Sequence, residues 1–167
     1  MNLNNAKTLA LSLMAQHKLI KDFWLEPAGH SWTLRWTQSK RIFGTCCHRE
    51  HVIEISKPLT ELNLEADVKD TVLHEIAHAL LGPGHGHGEE WKLLAMSIGA
   101  KPQRCYGSER VKMPLGKYQA VCKSCGNTKN RFRKPKKEWL HACRTCCERH
   151  AGGKFDLRFV LRYKQVR

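Results

Sequence analysis

The sequence predicts an α+β protein in two parts. A first domain, residues 1–104, has a small antiparallel sheet and a helix carrying His74-Glu75-Ile76-Ala77-His78; a β-rich cysteine module follows over residues 105–167. Three observations carry this. Apolar residues recur at helical spacing around the histidines, short period-two runs lie upstream, and two Cys-x-x-Cys pairs stand near the C-terminus.

In chain order, Ala6, Leu9, Ala10, Leu13 and Met14 define an amphipathic helix over residues 3–18, with Lys7 and Lys18 outside its buried stripe. Trp32, Leu34 and Trp36 alternate with Thr33 and Arg35, Ile53 and Ile55 flank Glu54, and a third strand is expected near Phe43 to His48. Their nearness in sequence favours antiparallel pairing. Trp24, Trp32 and Trp36 are expected in the core, not as base-stacking platforms. Leu64 to Leu81 is the second helix, with Val68, Val72, Ile76 and Leu80 along one side and Gly82-Pro83-Gly84 ending it. The run Gly84-His85-Gly86-His87-Gly88 is too glycine-rich for regular structure. The next helix buries Trp91, Leu94, Ala95 and Ile98, and stops at Gly99 with Pro102 beyond. From Lys101 the composition turns basic and cysteine-rich, which places the domain boundary within 101–116. Phe155, Leu157, Phe159, Leu161 and Tyr163 alternate with polar residues, as in a half-buried strand.

A chain of 167 residues holds one ordinary domain, or a domain and a small module, and 41% hydrophobic content suffices for a core. No apolar run approaches the roughly 18 residues that span a bilayer, and the first 21 residues mix Asn, Gln and Lys into their apolar positions, unlike a signal peptide. The expectation is a cytoplasmic monomer without membrane association, at the nucleoid in a bacterium or phage and nuclear in a eukaryote. Eight cysteines in a reducing compartment point to metal ligation rather than disulfides. The net charge of +14 is segregated: residues 1–100 carry 10 Lys/Arg against 11 Asp/Glu, and residues 101–167 carry 19 against 4. A basic block of this kind suits a polyanion such as DNA.

Residues i and i+4 share a helix face, so His74 and His78 can grip one metal ion while Glu75, one step round, overhangs its open position as general base. Three imidazoles favour zinc over manganese. For the third ligand His87 is preferred to His85, Glu89 and Glu90. The x-x-Gly-x-x-His continuation of one large metalloprotease class is absent, because Leu81 and Gly84 stand where its glycine and histidine would fall.

Cys122, Cys125, Cys143 and Cys146 form two pairs separated by 17 residues, the spacing of a structural four-thiolate zinc site. Two zinc ions are therefore expected, one catalytic and one structural. Cys147 reads as a spare thiol, and Cys46, Cys47 and Cys105 as small buried hydrophobes. Between the pairs, Arg131, Phe132, Arg133, Lys134, Lys136 and Lys137, with Trp139 behind, interleave cations and aromatics in a manner suited to single-stranded or distorted DNA.

The stretch HEIAHALLGPGHGHGEEW resembles the signature of the SprT-like metallopeptidases, in which a His-Gly-x-x-Trp/Phe element supplies the third ligand. Residue by residue, that ligand is His87 and the aromatic is Trp91. The likeness extends upstream to Ile53-Glu54-Ile55-Ser56 with Pro58-Leu59, and downstream to the repeated Cys-x-x-Cys. It implies a zincin-like catalytic domain and, by analogy with the Spartan members, cleavage of proteins trapped on DNA. The competing expectations are a non-proteolytic nucleic-acid-binding protein acting in transcription, and a general peptidase acting on free peptides. Glu75 separates the first competitor, since a structural metal site has no use for a base.

Overall fold

The computed structural model describes residues 1–20, 31–104, 111–137 and 140–166, in two compact units, Met1–Pro114 and Leu115–Arg167. In the first, helix α1 (Leu3–Gln16) begins at Asn2, whose side chain accepts from the Asn4 N–H, and buries Ala6, Ala10, Leu13 and Met14. Strands β1 (Thr33–Thr37), β2 (Gly44–Cys47) and β3 (Val52–Ser56) follow, then helices α2 (Lys57–Leu62), α3 (Glu65–Leu81) and α4 (Glu89–Ser97). Trp24 lies outside the described residues; Trp32 is buried in the core and Trp36 packs against it.

The sheet order is β1-β3-β2, and its pairing corrects the expectation of an all-antiparallel sheet. β2 runs antiparallel to β3, but β1 pairs with β3 in parallel, Leu34 opposite Ile53 and Trp36 opposite Ile55. The cause lies in β3. Val52, Ile53, Ile55 and Ser56 are all buried, so this strand takes the centre and its sequence neighbour β2 is displaced to the far edge. α2 was not foreseen; the Ser56 hydroxyl accepts from the Leu59 N–H and Pro58 occupies its first turn, a start signal present in the sequence.

α3 packs on the sheet and against α1 and α4. Val68, Val72 and Ile76 are fully buried, each contributing about 1.5–3 kcal/mol. Leu80, expected on that stripe, is 41% exposed, because the helix outruns its cover in the last turn. Gly82 at φ +93° stops α3 with its N–H on the His78 carbonyl. α4 buries Trp91 and Ala95, while Leu94 and Ile98 are half-buried, and Gly99 at φ +88° follows it. Residues 111–114 belong to the first unit, whose end at Pro114 falls within the 101–116 interval. Val111 joins its core, and Lys112 exchanges two backbone hydrogen bonds with the buried Asn63 amide.

In the second unit β4 (Tyr118–Val121) lies between β5 (Thr128–Arg131) and β6 (Lys164–Gln165), both antiparallel to it. This unit is less β-rich than expected, since the second cysteine pair opens a helix, α5 (Arg144–His150). The alternation from Phe155 to Tyr163 is not a continuous strand. Leu157–Phe159 is a 3-10 turn, Phe155 and Leu157 are exposed, and only Phe159, Leu161 and Tyr163 reach the core. Among the described residues no helix is long and apolar enough to cross a membrane.

Candidate metal centres

Two turns of α3 and one glycine-rich loop assemble the first centre. His74 and His78 project from one face of α3, and the loop returns His87 to them: its Nε2 lies 3.0 Å from His74 Nε2 and 3.1 Å from His78 Nε2. Three imidazole nitrogens at this spacing cannot all satisfy one another, because each neutral ring offers one N–H and the remaining lone pairs repel. A shared cation resolves the conflict. Tetrahedral zinc with bonds of about 2.0–2.1 Å sets ligand nitrogens about 3.3 Å apart, close to what is found. The donor set therefore fits zinc, and these three side chains can hold a metal ion.

Trp91 fixes the rings. Its indole is 1% exposed and its ring centroid lies 4.5 Å from that of His74, 4.6 Å from His87 and 5.3 Å from His78, near-parallel to the last at 26°. Its Nε1 is buried with no partner, so this residue is held by packing alone. Burial first, then the neighbouring imidazoles, pushes His74 down to about 3 and, with His87 as the nearest contributor, His78 to about 4. Both rings are neutral and ready to ligate near pH 7. His87 is lowered too, by burial and then by the Arg104 charge.

Glu75 is 7% exposed, and burial pushes its carboxyl up to about 8 against the pull of a backbone hydrogen bond from Cys46 on β2. A carboxyl poised there can accept and release a proton near neutrality. It sits in a cleft of about 750 Å³ that the three histidines also line. Gly44 faces it. A Cβ at position 44 would stand 2.7 Å from Glu75 Oε1 and 2.8 Å from Glu75 Cγ, so only glycine lets the strand approach this closely.

The other candidates for third ligand are engaged elsewhere: His85 Nδ1 lies 3.1 Å from Glu90 Oε2, and Glu89 pairs with Lys92 at 2.7 Å. Cys46 departs from the expected buried hydrophobe, being half-buried, lining the cleft and lying 3.7 Å from His48 Nε2; Cys47 is also half-buried. Cys105 lies outside the described residues. Sequence reasoning missed Gly44, the Cys46 backbone and Arg104. A glycine opening an alternating strand is a recognisable sign of close approach; nothing local marks the other two.

The second centre is the expected quartet. Cys122 Sγ lies 3.7 Å from Cys146 Sγ and Cys125 Sγ 3.6 Å from Cys143 Sγ, near the edge of about 3.8 Å that zinc–sulfur bonds of about 2.3 Å impose. All four thiols can share one ion. Gly126 at φ +73° turns the first knuckle, its N–H on the Cys122 carbonyl. Burial raises the Cys122 thiol, but the backbone N–H groups of Cys125 and Ser124 and the neighbouring thiols together bring it down to about 7, toward the ligating thiolate. Cys147 is buried beside the quartet and not part of it.

Of the cations between the knuckles, Arg133, Lys134, Lys136 and Lys137 are exposed. Arg131 is not a free surface cation. Its Nε donates to the Tyr163 hydroxyl at 3.0 Å, its guanidinium lies 5.5 Å from the Tyr163 ring centroid, and His141 Nδ1 is 3.5 Å away. Phe132 is half-buried, and Trp139 lies outside the described residues.

The sequence model of the SprT-like family matches residues 12–111, which hold the three histidines and Glu75. Among curated proteins, Protein SprT of Escherichia fergusonii is 29% identical over 111 residues, covering 59% of this chain and 67% of that one. Protein SprT of Proteus mirabilis is 25% identical over 149 residues, 84% of this chain and 86% of that one. Protein SprT of Pseudomonas paraeruginosa is 40% identical over 63 residues, 34% and 38% of the two chains. No solved structure matches the chain.

Proposed function

The chain belongs to the SprT-like family, and from that premise we propose that it is a zincin-like, zinc-dependent metallopeptidase acting on proteins bound or crosslinked to DNA. The observation that carries the reading is the convergence of three imidazole Nε2 atoms beside a buried carboxyl in an open cleft. When bound there, zinc supplies Lewis acidity toward a carbonyl oxygen and toward water.

The chain's own groups do the rest. His74, His78 and His87 hold the ion with neutral rings, and Trp91 keeps those rings in register. Glu75 takes a proton from the attacking water on its carboxylate and returns it to the leaving amine. The Cys46 backbone N–H orients that carboxylate, and Gly44 leaves it room. β2 is an edge strand flanking the cleft, so an extended polypeptide can lie along it.

The second unit supplies the tether. Its cysteine quartet suits a structural zinc, and its exposed Arg133, Lys134, Lys136 and Lys137 suit phosphates of single-stranded or distorted DNA. Confinement to DNA then selects substrates by local concentration.

The deciding experiment measures zinc content and cleavage of histones or of the chain itself, with and without single-stranded DNA, for the parent and Glu75→Gln. Two zinc ions in both proteins and DNA-stimulated cleavage in the parent alone are the expected result. Zinc-loaded parent protein that cuts nothing under either condition would favour the non-proteolytic nucleic-acid-binding reading.

A further inference from the structure

β2 carries a further pair of ligand atoms into the cleft of the three histidines. Gly44 and Cys46 share one face of this strand, His48 follows just past its end, and all three line the same space as His74, His78 and Glu75. Cys46 Sγ lies 3.7 Å from His48 Nε2. A neutral thiol at that distance makes only a weak hydrogen bond. A tetrahedral zinc ion, with bonds of about 2.3 Å to sulfur and about 2.0–2.1 Å to nitrogen, would set the two atoms about 3.6 Å apart. The pair therefore already stands at the spacing of two ligands of one ion.

His48 is held in place by the core. Its ring stands edge-on to Trp32 at 5.5 Å between centroids, and that indole is buried. Burial, then the charge of His51, lowers His48, so its ring is neutral near pH 7 and has a lone pair to give. The thiol is the costlier ligand. Burial first, then the Glu75 charge, pushes Cys46 up to about 12, so an ion binding there must displace the thiol proton to solvent. With that cost and only two protein atoms, the pair is a weaker site than the histidine trio or the cysteine quartet.

Glu75 adjoins this pair. The Cys46 backbone N–H donates to its carboxyl, and Gly44, on the same strand face, packs against it. An ion on Cys46 Sγ and His48 Nε2 can thus complete its shell with water and a Glu75 oxygen, and a carboxylate bound to a cation no longer takes up a proton.

We propose that Cys46 and His48 form a third metal site, weaker than the other two, which takes a thiophilic divalent cation such as zinc and, when filled, draws off the Glu75 carboxylate and stops cleavage. The inhibition rests on the peptidase reading of this cleft; the site itself does not.

The test starts from full-length protein loaded with two equivalents of zinc and dialysed against rising free zinc. A third ion should bind the parent. Cys46→Ser and His48→Ala should each bind it at least about tenfold more weakly while keeping the first two, whose retention also reports an intact fold. Cobalt(II) added to the two-zinc parent should give a thiolate-to-cobalt charge-transfer band that Cys46→Ser lacks. Free zinc in the range that fills this site should halve cleavage by the parent, and the concentration required should rise at least about tenfold in both variants, each referred to its own rate without added zinc. Two ions only at saturating zinc, a third ion held equally well by either variant, or a filled third site with cleavage unchanged overturns the inference. Cleavage that zinc does not inhibit, in a protein that binds two ions only, removes this inference and spares the peptidase reading. A third ion lost with Cys46 and with His48, in a protein that cleaves nothing, keeps the site and removes the peptidase reading.

Discussion

Gly44 and Glu75 meet directly in the wall of the cleft. The backbone of β2 passes so close to the carboxyl of α3 that a methyl group on Gly44 would overlap both Glu75 Cγ and Thr71 Cγ2 at 2.8 Å. Strand and carboxyl lie together, and glycine is what permits it.

Gly44→Ala should therefore displace Glu75 without touching the histidines. Cleavage is expected to fall at least about tenfold, a loss typical of a misplaced reacting group, with zinc content unchanged. Overpacking should also cost about 1–3 kcal/mol in urea denaturation. Full activity at unchanged stability would show that the carboxyl has slack the geometry denies it.

The raised Glu75 carboxyl makes a prediction for the metal-free protein. Its folded value of about 8 lies above the unfolded carboxyl value of about 4.3, so its stabilising contribution is complete below about pH 4 and is lost as pH rises toward 8. Glu75→Gln lacks this penalty, so its stability relative to the parent should grow between pH 5 and 8 and then level off. The depressed His74 and His78 act with opposite sign, losing stability as pH falls below the ordinary imidazole value, but they are common to both proteins and cancel. Urea midpoints at pH 5, 7 and 9 measure the difference; a constant gap contradicts the prediction.

Trp91 separates packing from hydrogen bonding. Because its buried Nε1 has no partner, Trp91→Phe removes an unsatisfied donor and keeps an aromatic ring packed against the imidazoles. Zinc affinity of the histidine site should survive this change. Trp91→Ala should weaken it about 10–100-fold, in the range seen when supporting groups around metal ligands are removed. Chelator competition reads both variants, and the cysteine site serves as internal control.

On the second unit, Arg131 and Lys136 should behave as different kinds of residue. Arg131→Ala loses its bonds to Tyr163 and His141 and should destabilise the unit by about 1–3 kcal/mol. Lys136→Ala and Lys137→Ala should leave stability alone, and each should reduce the slope of log affinity against log salt for single-stranded DNA by about one. Salt-independent binding would remove the phosphate-tether proposal.

His74 and His78 were legible because one helix turn relates them, and the cysteine quartet because each pair is four residues long. Such spacing is covalent information. His87 was nameable as the preferred ligand, yet its arrival beside the others depends on a loop whose path no local rule dictates. The run from Phe155 to Tyr163 shows how such reasoning fails. Alternation is a necessary pattern for a half-buried strand, but Leu157 finds no surface to cover it and the backbone turns instead. Parallel pairing of β1 with β3 was equally hidden, since pairing direction depends on which strand wins the centre and not on distance along the chain.

By itself the sequence determined the candidate ligand types, their helical or knuckle spacing, the amphipathic helices and the gathering of positive charge in the last third. The tertiary structure alone decided that a glycine of β2 meets Glu75, that Trp91 packs against three imidazoles, that Arg104 borders their cleft and that Arg131 is tied to Tyr163. The physical reason is range. Spacing and periodicity act over a few residues, whereas burial, close approach and the electrostatics of a cleft arise from segments that meet only once the core has closed.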